Sequence, residues 1–337
     1  MTNPSDINLN SLGVMGIKTE RAGPRLLVLG AVHGNETCGT RAIERVMADF
    51  EAERLKLVRG SLTVVPVTNP LAYQRGQRIG ERNLNRNLRV TTEPKDYEDR
   101  IANALCPLIG QSDALLDLHS FQSPGEPFVM IGPLTNEGEL EPFAFSAQEE
   151  ALALRLGPRR FVEGWMATYA DGVAKRVKRA DESGEPEARA QLLNTDPSYG
   201  VGTTEYVRSV GGLGVTLECG QHDDPKAVEV AYQGILNTLA FLRMTSAPWP
   251  PVTADPQVLR LTEVIDRLHA DDAFVKPWAS FDAVSAGEPI GRRHDGSMVC
   301  APADGYIAFP NVTALPGNEW FYFAQPSNRQ LNAETAV

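Results

Sequence analysis

Two short apolar runs constrain this chain more than any other feature: PRLLVLGAV at residues 24–32 and GSLTVVPVTNP at residues 60–70. Each is bounded by Gly or Pro, and each is apolar at consecutive rather than alternate positions. Such a run has to be buried on both faces, as interior strands of a parallel sheet are. Between them, TCGTRAIERVMADFEAERLK places Ile43, Val46, Met47 and Phe50 at helical spacing. The order is therefore strand, helix, strand. YEDRIANALCPLIGQ repeats the helical pattern, and DALLDLHS, PFVMIGP and GLGVTLECG read as further strands. DPKAVEVAYQGILNTLAFLRM reads as a closing helix, with Asp224 as N-cap and Pro225 at the first helical position. Helices alternating with apolar strands predict an α/β fold around a central sheet.

Residues 133–210 are less regular and include the charge-rich KRVKRADESGEPEARA, which reads as a solvated helix or loop. The Pro-rich MTSAPWPPVTADP marks a linker. Beyond it, turn signals recur often enough to predict a small all-β module. The expected division is a main domain over 1–246 and a C-terminal β domain over 247–337. In the latter, AGEPIG and APADGYI resemble the lipoyl-type β-sandwich, but no lysine between them could carry a prosthetic group. A structural lid is the expected role.

The balance of 32 basic and 43 acidic residues gives a net charge of −11, which argues against nucleic acid or an anionic membrane as partner. The N-terminus lacks a signal-peptide pattern, and no apolar run approaches the roughly 20 residues that span a bilayer. The four cysteines are scattered without a C-x-x-C pair. Together these predict a reduced, cytoplasmic setting. The sequence leaves a homo-oligomer open.

The first strand ends in His33-Gly34-Asn35-Glu36. A histidine and a carboxylate three apart could supply two metal ligands from one corner. They could equally be a loop histidine and a first-turn glutamate favoured by the helix dipole. DLHS offers His119 at another strand end, with Asp117 placed to orient a ring. NPLAYQRGQRIGERNLNRNL and the Arg89 that follows it hold five arginines from Arg75 to Arg89. Most read as solvated, but an arginine beside a metal can stabilise an oxyanion or grip a carboxylate. VTLECGQ puts Glu218 inside an apolar strand, where it either serves a site or faces solvent from a sheet edge. His222, in CGQHDD, reads as a loop histidine at the helix entry, and the cysteines as small packing residues.

Taken together, H-x-x-E, then Asn-Arg, then a distant His, then Glu on a late strand resembles the aspartoacylase and succinylglutamate desuccinylase family. The resemblance runs from about Leu26 to Met244 and weakly through the β module. It implies a zinc-carboxypeptidase-like fold, with a mixed central sheet flanked by helices. It implies one zinc ion per chain on His33, Glu36 and His119, and Glu218 as general base. Arg78 corresponds to the arginine that polarises the scissile carbonyl. Asn85 and Arg86 correspond to the pair that binds a substrate carboxylate, and Arg208 to a second carboxylate-binding arginine. Tyr322 corresponds to a tyrosine sent into the site by the C-terminal module. Two positions depart from the pattern: Asn83 stands where an aspartate is usual, and Thr204 where a tyrosine is expected. The implied activity is removal of an acyl group from a small N-acyl amino acid. A zinc carboxypeptidase acting on a short peptide and a catalytically silent zinc-containing binding protein are the competing readings.

Overall fold

In the computed structural model, the described residues are 7, 9, 11–134, 143–183 and 196–334. Residues 184–195, which include the second half of the charge-rich stretch, lie outside them.

The apolar runs become strands as their composition requires. β1 (Met15–Lys18) precedes β2 (Arg25–Leu29), and α1 (Cys38–Glu51) leads to β3 (Ser61–Val65). Then follow α2 (Pro70–Arg75), α3 (Tyr97–Gly110), β4 (Ala114–Phe121) and β5 (Phe128–Met130). α4 (Ser146–Ala153), β6 (Arg160–Glu163), α5 (Trp165–Ser183), α6 (Thr203–Ser209), β7 (Leu213–Gln221) and α7 (Lys226–Phe241) complete this part. The C-terminal residues add β8 (Gln257–Asp266), β9 (Ala273–Phe274), β10 (Asp282–Val284), β11 (Pro289–Arg292), β12 (Met298–Cys300), β13 (Gly305–Ala308) and β14 (Glu319–Pro326).

An eleven-stranded mixed sheet runs in the order β1-β3-β2-β4-β7-β5-β6-β8-β14-β13-β10. β2 is parallel to β3 and β4, and β4 is parallel to β7. β5 runs antiparallel to β7. The sheet does not stop at the Pro-rich stretch, because β8 pairs in parallel with β6. β9, β11 and β12 form a second, three-stranded sheet. Trp278, Ile290, Trp320 and Phe323 pack together in one buried cluster of this C-terminal part.

The two-residue period of a strand divides the core between the sheet's faces. Leu26, Val28, Leu116 and Leu118 share a cluster with Ile43 and Val46 of α1 and Ile235 and Leu239 of α7. Leu27, Leu29 and Leu115 face the other way, against Ile101 and Leu105 of α3 and Val207 of α6. Asp117 and His119 follow Leu115 at intervals of two, so they share its α3/α6 face. α7 starts slightly later than expected, at Lys226, whose backbone N–H donates to the Asp224 carboxylate at 2.9 Å. No helix among the described residues is long and apolar enough to cross a membrane.

Candidate active site

The site is assembled where β2, β4 and β7 end. The corner after β2 is tight. Gly34 lies against the backbone of α2, and a Cβ there would fall 2.0 Å from the Ala72 carbonyl carbon. Neither backbone can yield without moving His33 and Glu36. Gly34→Ala is expected to destabilise the fold by about 3 kcal/mol or more, read as a lower urea midpoint. A midpoint equal to that of the parent chain would refute this packing argument.

Glu36 precedes α1, whose N-cap is Thr37 and whose first turn holds no acidic residue. The helix-dipole reading of Glu36 therefore drops out. Instead its carboxylate, 1% exposed, sits between two imidazoles. His33 Nδ1 is 3.0 Å from one oxygen and His119 Nδ1 is 2.9 Å from the other. One potential ligand atom from each of the three residues lies within 4.8 Å of the others, so this set could hold a metal ion. His33 is held from behind, with Nε2 2.9 Å from Asn83 Oδ1. His119 Nε2 lies 2.9 Å from Asp117 Oδ2, a close charge contact without hydrogen-bond geometry. Thr203 Oγ1 donates to that same Asp117 oxygen. The Ser120 backbone N–H donates to Glu36 at 3.1 Å.

The donor set fits a cation. His33 Nδ1 is buried without a hydrogen-bond partner, because its approach to Glu36 is close but poorly directed. Burial, then the Arg78 charge, pushes the His33 imidazole down to about 4, so it is neutral and able to ligate. For Glu36, burial favours the protonated form, but His33 and His119 outweigh it and hold the carboxyl well below its usual range.

Asn83 was missed as part of this cluster. At this departure from the resembled pattern, its side chain supports His33. Its Oδ1 also accepts from the Asn85 backbone N–H at 3.0 Å. Removal of a partner behind a metal-binding histidine typically weakens metal affinity about 10–100-fold. Asn83→Ala is expected to show a loss of that size in zinc competition against a chelator. Unchanged affinity would mean that Asn83 merely fills space.

Glu218 is neither at a sheet edge nor exposed to solvent. β7 lies between β4 and β5, and Glu218 is the parallel register partner of His119. Register partners project from the same face, so both side chains reach the same site. Glu218 is 7% exposed, and its Oε2 is buried with no hydrogen-bond partner. Burial raises its carboxyl to about 8, aided by Glu36 and Asp117 against His119 and Arg78.

Eight of the nine candidate residues line one cavity of about 430 Å³; the ninth, Glu36, is buried. Arg78, half exposed, donates to Glu36 Oε1 at 2.6 Å. Asn85 Oδ1 accepts from the Thr203 backbone N–H at 2.9 Å. The Arg86 guanidinium lies over the Trp165 ring, 4.6 Å from its centroid. Tyr322 is 4% exposed, with its hydroxyl unpartnered and its pKa raised well above the phenol range by burial. Arg208 is also 5% exposed, but its guanidinium is bound in bidentate fashion to Glu149, at 2.9 and 3.0 Å. His222 joins the cavity wall, its Nδ1 2.8 Å from Ser120 Oγ. Its distance of four residues from Glu218 was the signal for it. Nothing local in the sequence marked Glu149 or Glu319, another residue of the wall.

Fold and site thus define an α/β protein with a buried His-Glu-His cluster at the strand ends, suited to a metal ion. Residues 22–124 match the family described as the succinylglutamate desuccinylase/aspartoacylase catalytic domain. The chain resembles that family in sequence over this segment and in fold over nearly its whole length. A curated relative, the N-alpha-acetyl-L-2,4-diaminobutyric acid deacetylase of Halomonas elongata, is 34% identical over 107 residues. That match spans 29% of this chain and 29% of the relative. The succinylglutamate desuccinylase/aspartoacylase structure from Rhodobacter sphaeroides superposes with a TM-score of 0.68 at 19% identity, covering 94% of this chain and 89% of the other. The product-bound ectoine utilization protein EutE (DoeB) from Ruegeria pomeroyi gives 0.66 at 21% identity, covering 93% and 88%. At these identities the structural likeness establishes a shared fold.

Proposed function

We propose that this chain is a metal-dependent amidohydrolase that removes the acyl group from a small N-acyl amino acid. One zinc ion would be held by His33, Glu36 and His119. The observation that carries the reading is the pairing of that buried cluster with Glu218. A carboxylate in register with a ligand histidine, unpartnered and aimed into the same cavity, has a use in hydrolysis that mere metal storage does not require. Two of the named relatives, a deacetylase and a succinylglutamate desuccinylase/aspartoacylase, agree with an acyl-removing activity.

When bound, zinc supplies Lewis acidity toward water and the scissile carbonyl. The chain's own residues do the rest. Glu218 accepts a proton from the attacking water and returns it to the leaving nitrogen. Arg78 donates to the carbonyl oxygen as negative charge develops there. Arg86 and Asn85 hold the substrate carboxylate, which fixes the amide over the cluster. Water adds to the carbonyl carbon, the C–N bond breaks, and a carboxylic acid and a free amine leave. Phe309, Glu319 and Tyr322 supply the far wall, limiting the room for a long peptide.

A pH dependence of metal binding follows from His119. Burial lowers its pKa, but Asp117 and Glu36 outweigh that and leave it well above the ordinary value. In the metal-free protein it therefore carries a proton near neutrality, and metal has to displace it. Zinc affinity is expected to fall about tenfold for each pH unit below neutrality, measured by chelator competition. A flat affinity between pH 6 and 8 would contradict this protonation state.

The function is tested by amine release from N-acetyl, N-formyl and N-succinyl amino acids with zinc-loaded protein. Turnover of one acyl class supports the reading. No turnover of any of them, with zinc bound, overturns it.

A further inference from the structure

The cavity that the proposed function uses carries charges that restrict its substrate further. Arg208, the expected second anion site, is already occupied. Its Nε and Nη2 donate to both oxygens of Glu149, and Nη2 also donates to the Gly214 carbonyl at 3.0 Å. Its Nη1 lies 3.3 Å from Glu205. The Glu149 carboxylate is itself fixed by the Gly132 backbone N–H at 2.6 Å. An incoming carboxylate would have to displace a bidentate, buried partner from this arginine.

Arg86 is different. It donates to the Asn85 carbonyl at 2.7 Å and makes no ion pair among the described residues. With the buried, unpartnered Tyr322 hydroxyl on the same cavity, it offers donors for one carboxylate. Glu319 lines that cavity too, and its carboxylate accepts no hydrogen bond among the described residues. Its ion partner there is Arg176 Nη2 at 3.6 Å, and Arg176 is already bidentate to Asp266 at 3.0 and 2.7 Å. Arg86 and Glu319 are close enough to feel each other's charge, yet they do not pair. Opposite charges that share a cavity without meeting are complementary to a ligand bearing both signs.

We propose that the site selects N-acyl amino acids with a cationic side chain. Arg86 takes the α-carboxylate, Glu319 takes the side-chain cation, and Glu149 withdraws Arg208 from binding a second carboxylate. This rests on the deacylase reading. Acidic side chains are disfavoured because they meet Glu319 and find no available arginine.

The test is kcat/KM of the zinc-loaded full chain on three substrates with the same acyl group: Nα-acyl-ornithine, N-acyl-norvaline and N-acyl-glutamate. The acyl group is the one most active in the amine-release panel. Ornithine is expected to exceed norvaline about tenfold or more, the range of a hydrogen bond between charged groups, with glutamate lowest. Glu319→Gln should reduce the ornithine-to-norvaline ratio about tenfold, and Glu319→Lys should reverse the order of ornithine and glutamate. Glu319 is partly exposed at 25%, so both variants are expected to fold. Equal turnover of ornithine and norvaline, or a ratio unmoved by either variant, overturns this inference and leaves the deacylase reading standing. No turnover of any substrate overturns both.

Discussion

Glu218→Gln is expected to lower kcat by about 10²–10⁴-fold, the usual contribution of a general base, while zinc remains bound. The side chain keeps its size, so the packing of β7 between β4 and β5 is preserved. What is lost is the ability to take a proton. Oε2 is already buried without a hydrogen-bond partner in the parent chain, so a neutral amide of the same size adds no unpaired charge and the variant is expected to fold. The measurements are kcat and zinc content on the same preparation. Normal turnover with glutamine in place would show that another group handles the proton, and His222 would be the first to examine.

His119→Ala is expected to have an equally large effect by another route. His119 belongs to the cluster itself, with Nδ1 on Glu36 and Nε2 on Asp117. Its loss removes one proposed ligand and leaves two buried carboxylates without their shared partner. Zinc affinity should fall by more than the about 10–100-fold expected for a supporting residue such as Asn83, and turnover should disappear with it. Metal analysis after gel filtration reads the first effect, and amine release reads the second. Retention of one zinc per chain at parent affinity would place the metal elsewhere.

Much of this was legible because the chemistry sits at the ends of interior strands. LLVL and ALLDLH are apolar on both faces, so a polar residue at such an end stands out. The polar corner His33–Glu36 and the late Glu218 were visible for that reason. The supporting contacts were not visible, because they join residues far apart in sequence. Asn83 meets His33 across 50 positions, and Glu149 meets Arg208 across 59. Local spacing carries no trace of either. The family resemblance placed Arg208 at the pocket, but only the fold reveals that an α4 carboxylate already holds it. The Pro-rich stretch after Met244 likewise signals a break in local structure. It says nothing of the pairing between β6 and β8, which carries the sheet across it.

The most direct test of the central claim removes and restores the metal. Protein stripped by a chelator and dialysed would be assayed for amine release from its best N-acyl amino acid, before and after one equivalent of zinc. The account predicts no release from stripped protein and recovery that saturates at one zinc per chain. Full activity in the stripped protein, or recovery indifferent to zinc, would contradict a hydrolytic centre built on His33, Glu36 and His119.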